Sequence, residues 1–525
     1  MEPASIETPH AETPPSTTGG SRSEVVGNAR AIALLGGAQV LMLVGGLVRW
    51  KIVAVYLGPA GVGIAGVIDQ LALVALQLGS LSIPAIALRF LAVARGQGDA
   101  EFARLYRAYL TVVVVGCTVA AGGVGILFLL RPALVSRELV PYTTVFFIAL
   151  ATVPLTGTFT LLRNTLATLQ RHWTVAKATI ASAVVTAVAC IIGVRMAGLP
   201  GLYLASLGTT LVISVVLHLN VVRGTPAATG GNSSAMTSLL GNPSALRYAG
   251  ALYAVGFTVP LSYSMVRSSV LSSQGAEAAG YIAACYTIAT GARTSFSQAS
   301  LQFLTPRASR DAPKAVRAAE VGTYMHTLAI AMAIAALPVV LFPREVLNAL
   351  FSSRFATAAG FLGLFLLAEL MMAFGDAYRT LLLGFDDLMG YVVTTLAAPI
   401  AVMAGVYFIV PRYGVSGAGW LQIGAAATAL GSSVVRLQMR HETPPDRRAL
   451  LLYGAMIATV GAAAALNALL PQSAAGLVVK AIAGVMLATA GTALLSADER
   501  ASLGRLLPLA GVLRRLRRRP ATPPT

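Results

Sequence analysis

From Ala31 almost to its end, the chain is a near-continuous series of apolar runs, each roughly 18 to 25 residues long. At a rise of about 1.5 Å per residue, each run crosses a hydrocarbon core about 30 Å thick as a helix. Runs such as "LTVVVVGCTVAAGGVGILFLL" are apolar on every side, whereas a strand barrel would show roughly ten-residue segments of alternating character. The composition agrees: of 525 residues 56% are hydrophobic and 11% charged, against about 25% charged in an average soluble domain. The reading is an all-α polytopic membrane protein of about 14 transmembrane helices, in two six-helix lobes with a C-terminal helix pair.

A net charge of +18 raises the question of nucleic acid, and the distribution of the cations answers it. With the N-terminus inside, the outer loops hold six: Arg131, Arg137, Arg195, Arg344, Arg354 and Arg412. Five more, Arg49, Lys51, Arg267, Arg293 and Lys480, lie within spans, and the other 27 of the 38 fall in inner loops and tails. This is the positive-inside pattern, with both termini cytoplasmic, and no nucleic-acid partner is needed to explain it. The C-terminal "RRLRRRP" is expected to lie on anionic membrane lipids.

Residues 1–28, rich in Pro, Ser and Thr, read as a disordered cytoplasmic tail without the basic and apolar regions of a signal peptide. Spans one to six occupy 29–222 and spans seven to twelve 248–440, separated by a polar, glycine-rich linker at 223–247. A helix pair follows at 441–497 and a basic cytoplasmic tail at 498–525. Aligning Arg49 with Arg267 sets "LVRW" on "MVRS", "RFLAVAR" matches "QFLTPRA", and "PGLYLASLG" matches "SGAGWLQIG". Three anchors in one order at nearly one spacing imply a duplicated six-helix bundle around a central cavity.

An ionisable group at mid-membrane costs at least about 2.5 to 3.5 kcal/mol, so each one there is a candidate for function. Arg49, Lys51, Arg267 and Arg293 are the candidate substrate-binding cations, and Asp69, Glu369 and Asp376 the candidate coupling groups. Arg293, beside Thr294, Ser295 and Ser297, has two readings: an ion pair with a neighbour such as Glu369, or an anion-binding cation in the cavity. Arg49 and Lys51 lie near the outer end, where snorkelling competes with function. Asp69 has pairing with Lys51 or Arg49 as its competing role. Cys117, Cys190 and Cys285 lie in apolar segments without paired spacing and are read as packing residues. The five histidines form no metal spacing or triad, and no "GxxxxGK[ST]" loop is present, so the chain reads as no enzyme, with neither metal nor cofactor.

Three stretches carry a family resemblance. "KIVAVYLGPAGVGIAGVIDQL" resembles the first-loop signature of the Wzx-type polysaccharide flippases. They belong to the MOP superfamily, which also holds the MATE exporters and the lipid II flippases. "MVRSSVLSSQGAEAAGYIAA" followed by "LQFLTPRASR" is similar to the family's seventh and eighth spans, and "LFSSRFATAAGFLGLFLLAELMMAFGDAYRTLLLGF" to its tenth. The branch most resembled moves the lipid-linked repeat unit of enterobacterial common antigen. The resemblance implies movement of an undecaprenyl-pyrophosphate-linked oligosaccharide across the bacterial inner membrane by alternating access, for surface polysaccharide such as O-antigen. Polysaccharide polymerase and chain-length machinery are the implied partners. A MATE-like cation-coupled exporter is the alternative, and it would want carboxylates dominating the cavity of one lobe.

Overall fold

The computed structural model describes residues 22–223, 243–308, 313–442, 446–469 and 473–493. Residues 1–21, the basic tail at 498–525 and most of the central linker lie outside them, while 22–28, expected to belong to the disordered tail, fall in the first helix. Among the described residues every regular element is helical and none is a strand. In chain order the helices are α1 Arg22–Ser80, α2 Ile83–Gln97, α3 Asp99–Leu130, α4 Thr143–Thr168, α5 His172–Val222 and α6 Pro243–Ala308. They continue as α7 Lys314–Leu341, α8 Ala359–Gly384, α9 Leu388–His441, α10 Arg447–Leu469 and α11 Ala474–Ala493.

Nine of the described helices are long and apolar enough to cross a membrane. The polytopic all-α fold is therefore as expected. Four of them, α1, α5, α6 and α9, run to 59, 51, 66 and 54 residues, far longer than one crossing needs. Each is broken by a glycine in a left-handed or extended-left conformation: Gly58 at φ 68°, Gly198 at 62°, Gly275 at 85° and Gly414 at 57°. A side chain disfavours those dihedrals, and glycine does not. The two arms of each helix then fold against one another, as the contacts across each turn show. Arg49 meets Asp69 across Gly58, Thr186 bonds Thr209 across Gly198, Tyr263 packs on Tyr286 across Gly275, and Arg436 meets Asp387 across Gly414. The apolar helix α11 is shorter than these nine.

The halves repeat one another in backbone detail. Gly58 and Gly275 are 217 residues apart, and Gly198 and Gly414 are 216 apart. Gln170 and Asp386, both non-glycine residues at positive φ (56° and 61°), are also 216 apart. Short helical pieces, Pro132–Val135 with Arg137–Tyr142 and Pro343–Leu350 with Ser353–Ala358, sit at matching places before α4 and α8. One asymmetry stands out. The second arm of α1 stops at Ser80, Leu81 and Ser82 take positive φ, and α2 begins with Pro84 in its first turn. Asn164 of α4 donates to the Pro84 carbonyl at 2.6 Å and so satisfies a backbone acceptor near the break, as a membrane interior requires.

The most extensive packing between any two helices joins the α1 and α6 hairpins, one from each half. Near their turns they touch backbone to backbone. A Cβ on Gly63 would stand 2.0 Å from the Ala276 carbonyl, and one on Gly280 2.0 Å from that of Pro59. Only residues without side chains allow this approach. The halves are closed at the turn end, and the space between them lies farther along the bundle. The pair α10 and α11 packs on α7, at the side of the second half.

Candidate functional site

Beyond the glycine contact, a cavity of about 390 Å³ separates the α1 and α6 hairpins, with α8 at its side. The second arm of α1 contributes Gln70 and Leu73, the first arm of α6 Val259, Pro260, Tyr263 and Arg267, and α8 Asp376. The second arm of α6 adds Tyr286, Thr290, Arg293, Thr294 and Ser297. The α6 positions lie 8 to 22 residues from the turn at Gly275, so the cavity extends away from the closed end toward exposed Thr294. Pro260 breaks the helical ladder here, and the carbonyl oxygen at that position takes a hydrogen bond from the buried Gln70 amide at 3.0 Å.

The four candidate cations occupy different surroundings. Arg49 is held inside α1: its Nη1 and Nη2 donate to Asp69 Oδ2 and Oδ1 at 2.7 and 3.2 Å, and its guanidinium lies over Trp50 and Tyr203. Tyr203 donates to the same carboxylate at 2.8 Å. Of the roles weighed for Asp69, pairing with Arg49 is the one its position supplies. Lys51 is exposed near the turn end and donates to the Ala349 carbonyl, away from the cavity.

Arg293 lines the cavity but is bridged. Its Nη1 donates to Glu369 Oε2 at 3.2 Å, and its Nε and Nη2 to Asp376 Oδ2 and Oδ1 at 3.1 and 3.4 Å. Ser297 donates to Asp376 at 2.6 Å, Tyr263 to Glu369 at 2.7 Å, and buried Arg379 pairs with Asp376 from the next turn of α8. Two guanidinium groups face two carboxylates, and the cluster is balanced. Arg293, Glu369 and Asp376 thus come together, with Arg293 in the first of its two expected roles.

Arg267 is different. It lines the cavity, donates from Nη1 to the Gly66 carbonyl at 2.8 Å, and lies 5.5 Å from the centre of the Tyr286 ring. No carboxylate pairs with it among the described residues, and its buried Nε has no hydrogen-bond partner. The hydroxyl of Tyr286 is buried beside the Gln422 amide. Chemically this wall offers a guanidinium that no carboxylate pairs with among the described residues, a group that suits an oxyanion such as phosphate. Arg49 and Arg267, matched by the repeat, therefore differ: Asp69 pairs with Arg49, and no carboxylate pairs with Arg267 among the described residues.

Sequence reasoning missed the tyrosines. Tyr203 bonds Asp69, Tyr263 bonds Glu369 and Tyr286 lies under Arg267, yet an isolated tyrosine in an apolar run carries no signal of partnership. Among the described residues no group of three or more His, Cys, Asp or Glu could hold a metal ion.

No protein-family model matches the chain, and no curated protein matches it. Solved structures do. The lipid II flippase MurJ in an inward closed conformation matches with a TM-score of 0.61 at 11% identity, over 88% of this chain and 98% of that one. An inward-facing multidrug resistance MATE family transporter of the MOP superfamily matches at 0.56 and 14% identity, over 82% and 98%. The MATE multidrug transporter DinF-BH matches at 0.55 and 16%, over 78% and 96%. At these identities the likeness is one of fold: a polytopic transporter fold shared by a lipid-linked flippase and by drug exporters.

Proposed function

We propose that the chain is a flippase that carries an undecaprenyl-pyrophosphate-linked oligosaccharide from the inner to the outer leaflet of the bacterial inner membrane. The observation that carries this reading is Arg267, a cavity cation that no carboxylate neutralises among the described residues. A pyrophosphate cannot enter hydrocarbon unaided; a fixed guanidinium offsets its dehydration. The two half-bundles of 29–222 and 248–440 rock about the α1–α6 contact. With both termini cytoplasmic, the present cavity opens inward while Gly63 and Gly280 seal the outer end. The lipid tail stays in the bilayer as the headgroup crosses.

Arg293 serves as a second phosphate ligand when substrate draws it from its carboxylates. Coupling falls to Asp69, or to Glu369 with Asp376, each of which would exchange its arginine for a cation or proton during the cycle. Surface polysaccharide synthesis supplies the substrate, and a polymerase with its chain-length machinery consumes it. The exporter alternative wants a free carboxylate in the cavity, and the carboxylate lining this one, Asp376, is bound to two arginines.

The experiment is the accumulation of undecaprenyl-linked oligosaccharide on the inner leaflet of cells lacking the protein, followed by rescue with Arg267→Lys or Arg267→Ala. The lysine form is expected to clear the intermediate and the alanine form to leave it. Full clearance by Arg267→Ala, or no accumulation at all, would refute the reading.

A further inference from the structure

A second cleft, of about 640 Å³, lies at the turn end of the bundle between α8 and α10 and shares no lining residue with the central cavity. Its walls carry Gly360 and Gly363 on α8 and Gly461 on α10. A Cβ at Gly360 or Gly461 would meet nothing within 4 Å, and one at Gly363 would meet only Ala464, at 3.9 Å. Unlike Gly63 and Gly280, these glycines make no close helix contact; they leave an empty slot.

The lining sorts by polarity along the bundle axis. Arg344, Thr357 and Asn467 lie close to the ends of their helices. Leu367, eight residues into α8, and Val460, nine residues before the end of α10, lie about 12 Å deeper, where the walls are apolar. Arg344 is exposed at the mouth, and no carboxylate pairs with it among the described residues. Behind Asn467 stands the wholly buried Lys480, whose amine donates to the amide oxygen at 2.9 Å. An ammonium accepts nothing, so it fixes the Asn467 oxygen toward itself and leaves the amide nitrogen as a donor for the cleft. The result is a buried cation held by a neutral amide, a costly arrangement in a membrane unless an anion stands near. Trp420, 62% exposed, lines the same cleft and presents the kind of amphipathic ring found at membrane interfaces.

We propose that this cleft holds one glycerophospholipid of the surrounding bilayer, with its phosphate between Arg344 and the Asn467–Lys480 pair and one acyl chain in the glycine slot. The phosphate supplies the negative charge that both cations lack, and the chain fills space that no side chain occupies. The lipid bridges α8 and α10 and so fastens the C-terminal pair to the second half-bundle.

Native mass spectrometry of the full chain in detergent tests this, with phosphatidylglycerol as probe. Diacylglycerol with the same chains, undecaprenyl phosphate and inorganic phosphate serve as comparators. The protein is expected to retain one phosphatidylglycerol, and Gly461→Leu and Arg344→Gln each to weaken it about tenfold. Gly424→Leu should change nothing, since Gly424 is exposed and also has open space beside it. The proposal is overturned if Gly461→Leu binds as well as the parent, if diacylglycerol binds as tightly as phosphatidylglycerol, or if inorganic phosphate alone displaces the lipid. Preferential binding of undecaprenyl phosphate at the same slot would overturn it too. None of these readouts depends on flipping.

Discussion

Arg267 lies over the ring of Tyr286, 5.5 Å from its centre, in the place across the α6 hairpin that Arg49 takes against Asp69 across the α1 hairpin. The two pairs are related by the repeat: Asp69 and Tyr286 are 217 residues apart, as are the turn glycines Gly58 and Gly275. One half spends its arginine on a carboxylate, and the other leaves it facing the cavity.

Exchanging that partner is the direct test of the difference. Tyr286→Asp should recreate the ion pair of the first half and silence Arg267. We expect flipping to fall at least about tenfold relative to Tyr286→Asn, which removes the same ring without adding charge. The measurement is clearance of inner-leaflet substrate at matched protein levels, and equal clearance by the two variants would remove Arg267 from the binding wall.

The balanced cluster on α8 makes a prediction about stability. Arg293→Met leaves Glu369 without its arginine, and removing one partner of a buried pair costs about 3 to 5 kcal/mol. Adding Glu369→Leu should recover most of that loss, because Asp376 still has Arg379. Thermal unfolding in detergent reads both variants. A double variant no more stable than the single one would contradict the pairing.

The glycine contact should be a conformational lock. A side chain at Gly280 would meet the Pro59 carbonyl, so Gly280→Val cannot close the turn end as seen here. We expect modification of Thr290→Cys by a membrane-impermeant thiol reagent, applied from the turn side, to accelerate about tenfold in the Gly280→Val background. The native Cys117, Cys190 and Cys285 are buried and contribute little background. Unchanged labelling would mean that the seal lies elsewhere.

Outside the spans, Asp387 ties the two ends of the α9 hairpin together. It accepts from Arg436 at 2.8 and 2.9 Å, from the Gly390 amide at 2.8 Å and pairs with His441 at 3.1 Å. The hydrogen bonds from Arg436, above all, hold its carboxyl well below the usual carboxylate range. Since the folded value is the depressed one, this contribution is complete above the unfolded value of about 4 and is lost as pH falls through the folded one. The thermal midpoint in detergent should therefore drop on acidification below about pH 4, and Asp387→Asn should flatten that limb while lowering stability at pH 7. An acid limb unaltered in the asparagine variant would assign it to other carboxylates.

Much of the architecture was legible because membrane burial writes itself locally. Long apolar runs between Ala31 and the C-terminal pair announce helices, since hydrocarbon lets the backbone satisfy itself in few other ways. The repeat was legible too, through anchors such as Arg49 with Arg267. Of the turn glycines, Gly58 lies in the first-loop string that the sequence singles out, whereas Gly198, Gly275 and Gly414 gave no clear signal among 51 glycines and are picked out only by their backbone dihedrals.

The candidate site divides the same way. Composition and spacing determined which seven ionisable residues became the site candidates, because each is a local departure from an apolar background. Which of them remain charged toward open space was decided by the tertiary fold alone. Asp69 reaches Arg49, and Glu369 and Asp376 reach Arg293, through turns and helix contacts that bring residues 20, 76 and 83 positions apart within hydrogen-bonding distance. Arg267 is left over for the same reason. Coulomb energy between buried charges depends on separations of a few ångströms, and no pattern along the chain encodes those.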